Sequence, residues 1–263
     1  MQLKNINTES LKNAIQQMSV IDKALHTMWS SEGVSMIAAS LYGDKIKRIG
    51  WSTADMGFKD AGDFGKLRIN FNNAAKIRQI LCQFGDTVSM SMTGIPDGDT
   101  TYVTSVTFFN DTLSFTEKTI DISYFKTYNL PGDDKILMLA GEDCDCSVVL
   151  DDNTIKRIKS LGLINKDNPV YEFTAEDKNF CITESFAGNE QDVKKKVYCL
   201  NIGTCNSEDF CLKFPKDFFD CTNTSDPIEL KVYNPAEDVA PRRAVARYKN
   251  DVYDAVVIMG AVA

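Results

Sequence analysis

One arrangement recurs four times along this sequence: a strand-like run, a short amphipathic helical run, then three further strand-like runs. The period is about 65 residues, a quarter of the chain, and it constrains the fold more than any single motif does. Such a unit has one apolar helix face and one apolar sheet face. It cannot bury both alone, so the copies must pack together.

The first copy starts with the strand Leu3–Ile6, and Thr8 is its predicted N-cap. Leu11, Ala14, Ile15 and Met18 then fall at i, i+3, i+4 and i+7, the spacing of a helix face. Ala24–Trp29, Val34–Leu41 and Lys45–Trp51 read as strands, punctuated by Gly33 and Tyr42-Gly43-Asp44. The second copy has the strand Leu67–Phe71 and a helix capped by Asn73, carrying Ala74, Ile77, Leu81 and Phe84 and closed by Gly85. Strands follow at Thr87–Met92, Tyr102–Phe109 and Thr112–Ile120.

The third copy has Cys146–Leu150, a helix capped by Asp151 or Asp152 with Ile155, Ile158 and Leu161, and strands at Val170–Ala175, Phe180–Glu184 and Val197–Ile202. The fourth has Phe210–Phe214, then a short helix near Lys216–Cys221, with Pro215 at its start, where a missing N–H costs nothing. Its strands are Ile228–Tyr233, Ala244–Tyr248 and Val252–Met259. Between the second and third copies lies 121–141, aromatic and turn-rich. A connector of that length usually links domains or carries function. The sequence therefore divides into domains at 1–120 and 142–263, joined by 121–141, and the fold class is α+β.

Composition narrows the function. The chain has 263 residues and 43% hydrophobic residues, enough for a substantial core. No apolar run is long enough to span a membrane, and no signal-peptide layout opens the chain. The expected location is therefore intracellular. Net charge is −8, against free nucleic-acid binding but compatible with one restricted basic surface. The eight cysteines mostly sit in apolar runs and read as small buried hydrophobes. Cys144-Asp145-Cys146 lacks the spacing and the partners of a zinc knuckle, so no metal is expected. His26 is the sole histidine and has no nucleophile beside it in sequence. No phosphate loop, nucleophile elbow or metalloprotease motif occurs. The reading is a non-enzymatic protein without a cofactor. Its main rival is a viral structural or assembly protein of similar β-rich make-up, which would not need cations confined to helices.

Several local segments, in this order, resemble the DNA sliding clamps of the proliferating cell nuclear antigen type. They are Ser31-Glu32-Gly33-Val34, the strand and helix of Leu67–Gly85, Tyr128-Asn129-Leu130-Pro131 in the connector, and Pro241 followed by Ala244–Lys249. The resemblance covers nearly the whole chain, and the weakness of local identity points to a viral or phage source. It implies two similar clamp domains, each a duplicated β-α-β-β-β unit with helices on the inner face and antiparallel sheets outside. It also implies a homotrimeric ring around duplex DNA, serving a DNA polymerase and a clamp loader at sites of replication.

On that resemblance, the pore cations are Lys12, Lys76, Arg78, Lys156, Arg157, Lys159 and Lys213. Contacts that slide must be directed at phosphate, which carries no sequence information. The fourth helix departs from the pattern, because Asp217 and Asp220 offset Lys216. The partner-peptide pocket falls at Tyr42, Tyr128, Leu130, Pro131, Pro241 and Ile258. The C-terminal segment lacks the family's acidic tail.

Overall fold

The computed structural model describes residues 1–40, 42–57, 65–120, 131–185, 196–205, 207–222, 225–236 and 240–262. The chain divides into two compact units. The first comprises Met1–Leu137 with Asn250–Ala255, the second Met138–Lys249 with Val256–Ala263.

The first unit opens with β1 (Gln2–Asn7), α1 (Thr8–Met18), β2 (Leu25–Trp29), β3 (Gly33–Ala39) and β4 (Lys45–Ser52). A one-turn α2 (Thr53–Met56) follows, then β5 (Lys66–Phe71), α3 (Ala74–Leu81), β6 (Thr87–Asp97), β7 (Thr100–Phe109) and β8 (Ser114–Lys118). The strands run in the orders β1-β6-β7-β8 and β5-β2-β3-β4. A short parallel contact between β5 and β7 joins the two sets. The first strand of each repeat therefore pairs in the other repeat's sheet, which interlocks the two copies.

The helix α4 (Asp133–Gly141) spans the division between the units. The second unit then has β9 (Cys146–Leu150), α5 (Asp152–Gly162), β10 (Val170–Glu176), β11 (Asn179–Ser185), β12 (Lys196–Thr204) and β13 (Phe210–Pro215). It closes with α6 (Phe218–Thr222), β14 (Ile228–Tyr233), β15 (Arg243–Lys249) and β16 (Tyr253–Gly260). Its orders are β9-β14-β15-β16 and β13-β10-β11-β12. The strand exchange of the first unit is repeated.

The helices form where apolar spacing and caps coincide. Leu11, Ala14, Ile15 and Met18 are buried on α1, and Ala74, Ile77, Ile80 and Leu81 on α3. The N-cap of α1 is Asn7 rather than Thr8: Asn7 Oδ1 accepts from Ser10 N at 2.8 Å, while Thr8 is already helical and buried. Asn73 caps α3 at 3.0 Å and Asp151 caps α5 at 2.7 Å. The α3 helix ends at Leu81 with Cys82 as its C-cap, before Gly85. Pro215 ends β13 instead of starting a helix, because Val170 pairs with it across the sheet.

Each unit uses a lysine to close its first helix. Lys47 Nζ donates to Gln17 O at 3.0 Å, near the end of α1. Lys216 Nζ donates to Gly162 O at 2.9 Å and Asn165 O at 2.7 Å, at the end of α5. An ammonium group there meets unpaired carbonyls and the negative end of the helix dipole. Lys216 pairs with the buried Glu184 at 3.1 Å, while Asp220 faces Lys159.

The second core centres on Phe173. Its ring lies 4.7 Å from Phe214, 6.1 Å from Phe218 and 6.2 Å from Phe219. Tyr171, Phe173 and Ala175 alternate with outward residues along β10, so α5 and α6 cover one face of this sheet. Each fully buried ring contributes about 2–3 kcal/mol over its exposed state.

Candidate nucleic-acid interface

In the first unit α1 and α3 are neighbours. Their outward positions include Asn13, Gln16, Lys76, Arg78 and Gln79. Glu9 is the one acidic residue on the two helices, and it pairs with Lys12 at 2.6 Å. That hydrogen bond lowers the Glu9 carboxyl and raises the Lys12 ammonium; the Arg78 charge reaches both. Lys76 turns toward the neighbouring strand and pairs with Glu117 of β8 at 2.6 Å. Arg78 is exposed and has no ion pair among the described residues.

In the second unit α5 presents Lys156, Arg157 and Lys159. Lys156 pairs with Asp152 at 2.5 Å, one turn earlier. Lys159 reaches Asp220 of α6 at 3.1 Å. Arg157 is exposed and, among the described residues, has no ion pair. Lys156 and Lys159, three positions apart, are neighbours on the helix, and Arg157 is turned about 100° from Lys156. Lys213 stands apart from them. It alternates with the buried Leu212 and Phe214 on β13, which puts it on the sheet face opposite the helices.

The residues expected to hold a partner peptide fall in both units. Tyr128 and Leu130 lie outside the described residues. In the first unit Tyr42 is 89% exposed and Pro131 is half-buried. In the second, Pro241 lines a shallow groove of about 540 Å³ with Cys211, Leu212, Lys213, Arg242 and Val262. Ile258 is buried, so its main contribution is packing. Burial pushes the Cys146 thiol upward, with Cys205 beside it, which makes it a poor nucleophile. Among the described residues no cluster of three or more histidine, cysteine or acidic side chains could hold a metal ion.

No protein-family model matches the sequence, and no curated protein matches it. Solved structures do match. One is the C-terminal region of FEN-1 bound to A. fulgidus PCNA, at 11% identity and a TM-score of 0.65, covering 100% of this chain and 98% of that one. The PCNA2–PCNA3 complex of Sulfolobus tokodaii gives 10% identity and a TM-score of 0.62, with 99% of each chain covered. The H. pylori beta clamp in complex with 5-chloroisatin gives 14% identity and a TM-score of 0.67, covering all of this chain and 66% of that one. The chain has the DNA sliding-clamp fold. Both clamp classes match this chain along its whole length, and the PCNA chains are themselves covered almost end to end. The strand exchange appears in the same order in both units.

The cations of helices α1, α3 and α5 were legible as candidates because few acids share those helices. Arg48, Asp133 and the apolar pair Leu163-Ile164 were not singled out from sequence. Leu163 and Ile164 lie one and two positions past the helix stripe of Ile155, Ile158 and Gly162, an out-of-phase apolar pair that could have drawn notice.

Proposed function

We propose that this protein is a DNA polymerase processivity factor: a homotrimeric ring that encircles duplex DNA without reading its sequence. The observation that carries this reading is the end-to-end clamp fold combined with cationic helix surfaces in a chain of net charge −8. A ring that slides needs loose phosphate contacts and no base contacts. It also needs no catalytic chemistry.

Sheet edges support assembly. In the first unit the far side of β4 is met by the segment Asn250–Ala255, through Arg48 with Asp254 and through the Trp51 and Tyr253 rings at 6.5 Å. The equivalent edge strand of the second unit is β12. Among the described residues β12 pairs only with β11, and β8 only with β7. Open edges invite pairing. A β8 edge on one copy and a β12 edge on the next make a head-to-tail contact, which closes into a ring.

Polymerase and clamp loader would dock through short peptides. Two neighbours support peptide docking: a PCNA bound to a FEN-1 C-terminal region and an H. pylori beta clamp bound to a DNA ligase peptide. No helix among the described residues is long and apolar enough to cross a membrane.

The deciding experiment is topological. Protein loaded on nicked circular DNA should stay bound through gel filtration and run off when the circle is linearised. Equal retention on circular and linear DNA would show ordinary surface binding and end the ring reading.

A further inference from the structure

The first unit holds a small cavity where two of its strands part. β5 and β7 pair in parallel over three residues only, Lys66–Arg68 with Thr100–Tyr102. The chain leaving β8 crosses the gap beyond. Thr119 N donates to Thr104 O at 3.1 Å on one side, and Ile120 N donates to Asn70 O at 2.9 Å on the other. The cavity left there, of about 150 Å³, is lined by Asn70, Ile95, Tyr102, Lys118 and Ile120 with their neighbours. The β6–β7 ladder slips at Thr93–Gly94, and this bulge sets Ile95 opposite Tyr102. Bulges re-aim side chains in this way beside sites. The second unit repeats the frame: Ala261 N donates to Arg242 O and Val262 N to Lys213 O, each at 2.9 Å, around the groove that Pro241 lines.

The repeated opening has its own contents in the first unit. Asn70 is 2% exposed, and its side-chain oxygen faces His26 Nδ1 at 3.2 Å. Its amide nitrogen has no partner among the described residues, nor has the Tyr102 hydroxyl or the Lys118 ammonium. The threonine hydroxyls nearby are spent on backbone: Thr104 donates to Thr93 O and Thr119 to Val103 O. No carboxylate among the described residues lines the cavity, although the chain has 37 acidic residues against 29 basic. What remains is a set of donors, one of them cationic, beside the apolar side chains of Ile95 and Ile120.

We propose that this cavity binds a carboxylate carried on one ring-sized apolar group. A space of this volume holds about one benzene ring. Lys118 supplies the charge, Asn70 and Tyr102 supply N–H and O–H donors, and Ile95 and Ile120 meet the ring. Hydrogen bonds to an ionised acceptor are the strong kind, so the carboxylate sets the selectivity and the ring adds contact. Two sources offer this chemistry: the C-terminal aromatic residue of a peptide, and a free aryl carboxylic acid. The inference needs neither a ring nor DNA, so it stands or falls apart from the function proposed above.

The test uses the full chain with labelled isoleucine and valine methyl groups, read by NMR. Three probes are titrated: 3-phenylpropionate, N-acetylphenylalanine, which mimics a peptide end, and N-acetylphenylalaninamide, which lacks the charge. At least one acid should shift Ile95 and Ile120 with a Kd of about 1 mM, usual for a ligand of that size. Tighter binding of N-acetylphenylalanine assigns the site to peptide ends, and tighter binding of 3-phenylpropionate to free acids. Lys118 is exposed, so Lys118→Met removes the charge without disturbing the core. It should weaken the preferred acid about fivefold, the upper range for an exposed ion pair, and leave the amide unchanged. Shifts confined to Val262 would put the ligand in the second unit's groove instead. That result overturns the proposal, as does equal binding of acids and amide, or of Lys118→Met and wild type. Silence at Ile95 and Ile120 with either acid at about ten times that Kd overturns it too.

Discussion

Arg48 grips Asp133 with two parallel hydrogen bonds, Nε to Oδ1 at 2.8 Å and Nη2 to Oδ2 at 3.0 Å. Its remaining arm donates to the backbone oxygen of Asp254 at 3.0 Å. The guanidinium is nearly buried, and Gly50 makes room for it: a Cβ there would lie 2.6 Å from Nη2. The fork holds the start of α4 to β4. Arg48→Met leaves the partly buried Asp133 without this counter-charge and takes one partner from Asp254. The expected loss is about 2–3 kcal/mol, below that of a fully buried pair because Asp133 retains some solvent. Arg48→Lys keeps the charge but not the fork and should recover less than half. Urea unfolding checks this; a loss under about 0.5 kcal/mol for Arg48→Met would class the pair with ordinary surface salt bridges.

The helix cations are not equivalent. Lys12, Lys76, Lys156 and Lys159 each have a carboxylate within 3.1 Å. Arg78 and Arg157 are exposed without such a partner among the described residues. A cation already paired gives up one attraction to gain another, so the two arginines should contribute more to phosphate binding. The double variant R78A/R157A removes two cations from each of three copies and is expected to lower the salt slope of DNA retention by up to about five. K12A/K156A, also two charges, should lower it by less. Equal slopes for the two variants would show that the pairs open freely on DNA.

Much of the architecture was legible because local signals agreed. The spacing of Leu11, Ala14, Ile15 and Met18 gave α1, and Asn73 and Asp151 gave the starts of α3 and α5. The strand exchange was not legible, since nothing local to β1 or β5 says which sheet will take it; that depends on long-range pairing such as Leu3 with Met90. The α4 helix lay hidden behind a turn-rich connector whose Pro131-Gly132 reads as loop, although Gly132 O accepts from Ile136 N at 3.1 Å. At the candidate interface, residue type revealed the cations of α1, α3 and α5 but not their partners. Glu117 and Asp220 are far in sequence from the lysines they hold. Lys213 was grouped with the helix cations by proximity in sequence to α6, and strand alternation sends it to the other face.

Gly33 carries a steric prediction. It opens β3 opposite Ser52, and a Cβ there would lie 2.2 Å from the backbone oxygen of Trp51. Backbone cannot swing aside as a side-chain tip can, so β3 and β4 would have to separate. Gly33→Ala should cost about 1–3 kcal/mol, the range for overpacking. The control is Gly85→Ala, where nothing lies within 4 Å. Matching urea midpoints for the two variants would mean that the hairpin yields easily.

His26 sets an acid limit on the first unit. It is buried, with Nδ1 3.2 Å from Asn70 Oδ1, and desolvation, with a smaller effect of the Arg68 charge, lowers its pKa from 6.5 to about 4. The folded state therefore favours the neutral ring, while the unfolded chain takes up a proton below about pH 6.5. Between those values the unfolded state binds more protons, so stability must fall as pH drops through the window. The contribution is complete above pH 6.5 and exhausted below the folded value, a span of about 3 kcal/mol. His26→Gln cannot titrate and should flatten that part of the profile. Trp29 and Trp51, the only tryptophans, both lie in the first unit, so their fluorescence reports the unit that holds His26. Urea unfolding from pH 4.5 to 7.5 should show the two proteins converging in slope above pH 6.5 and diverging below it. Parallel curves throughout would mean that His26 ionises in the folded state as readily as in the unfolded chain.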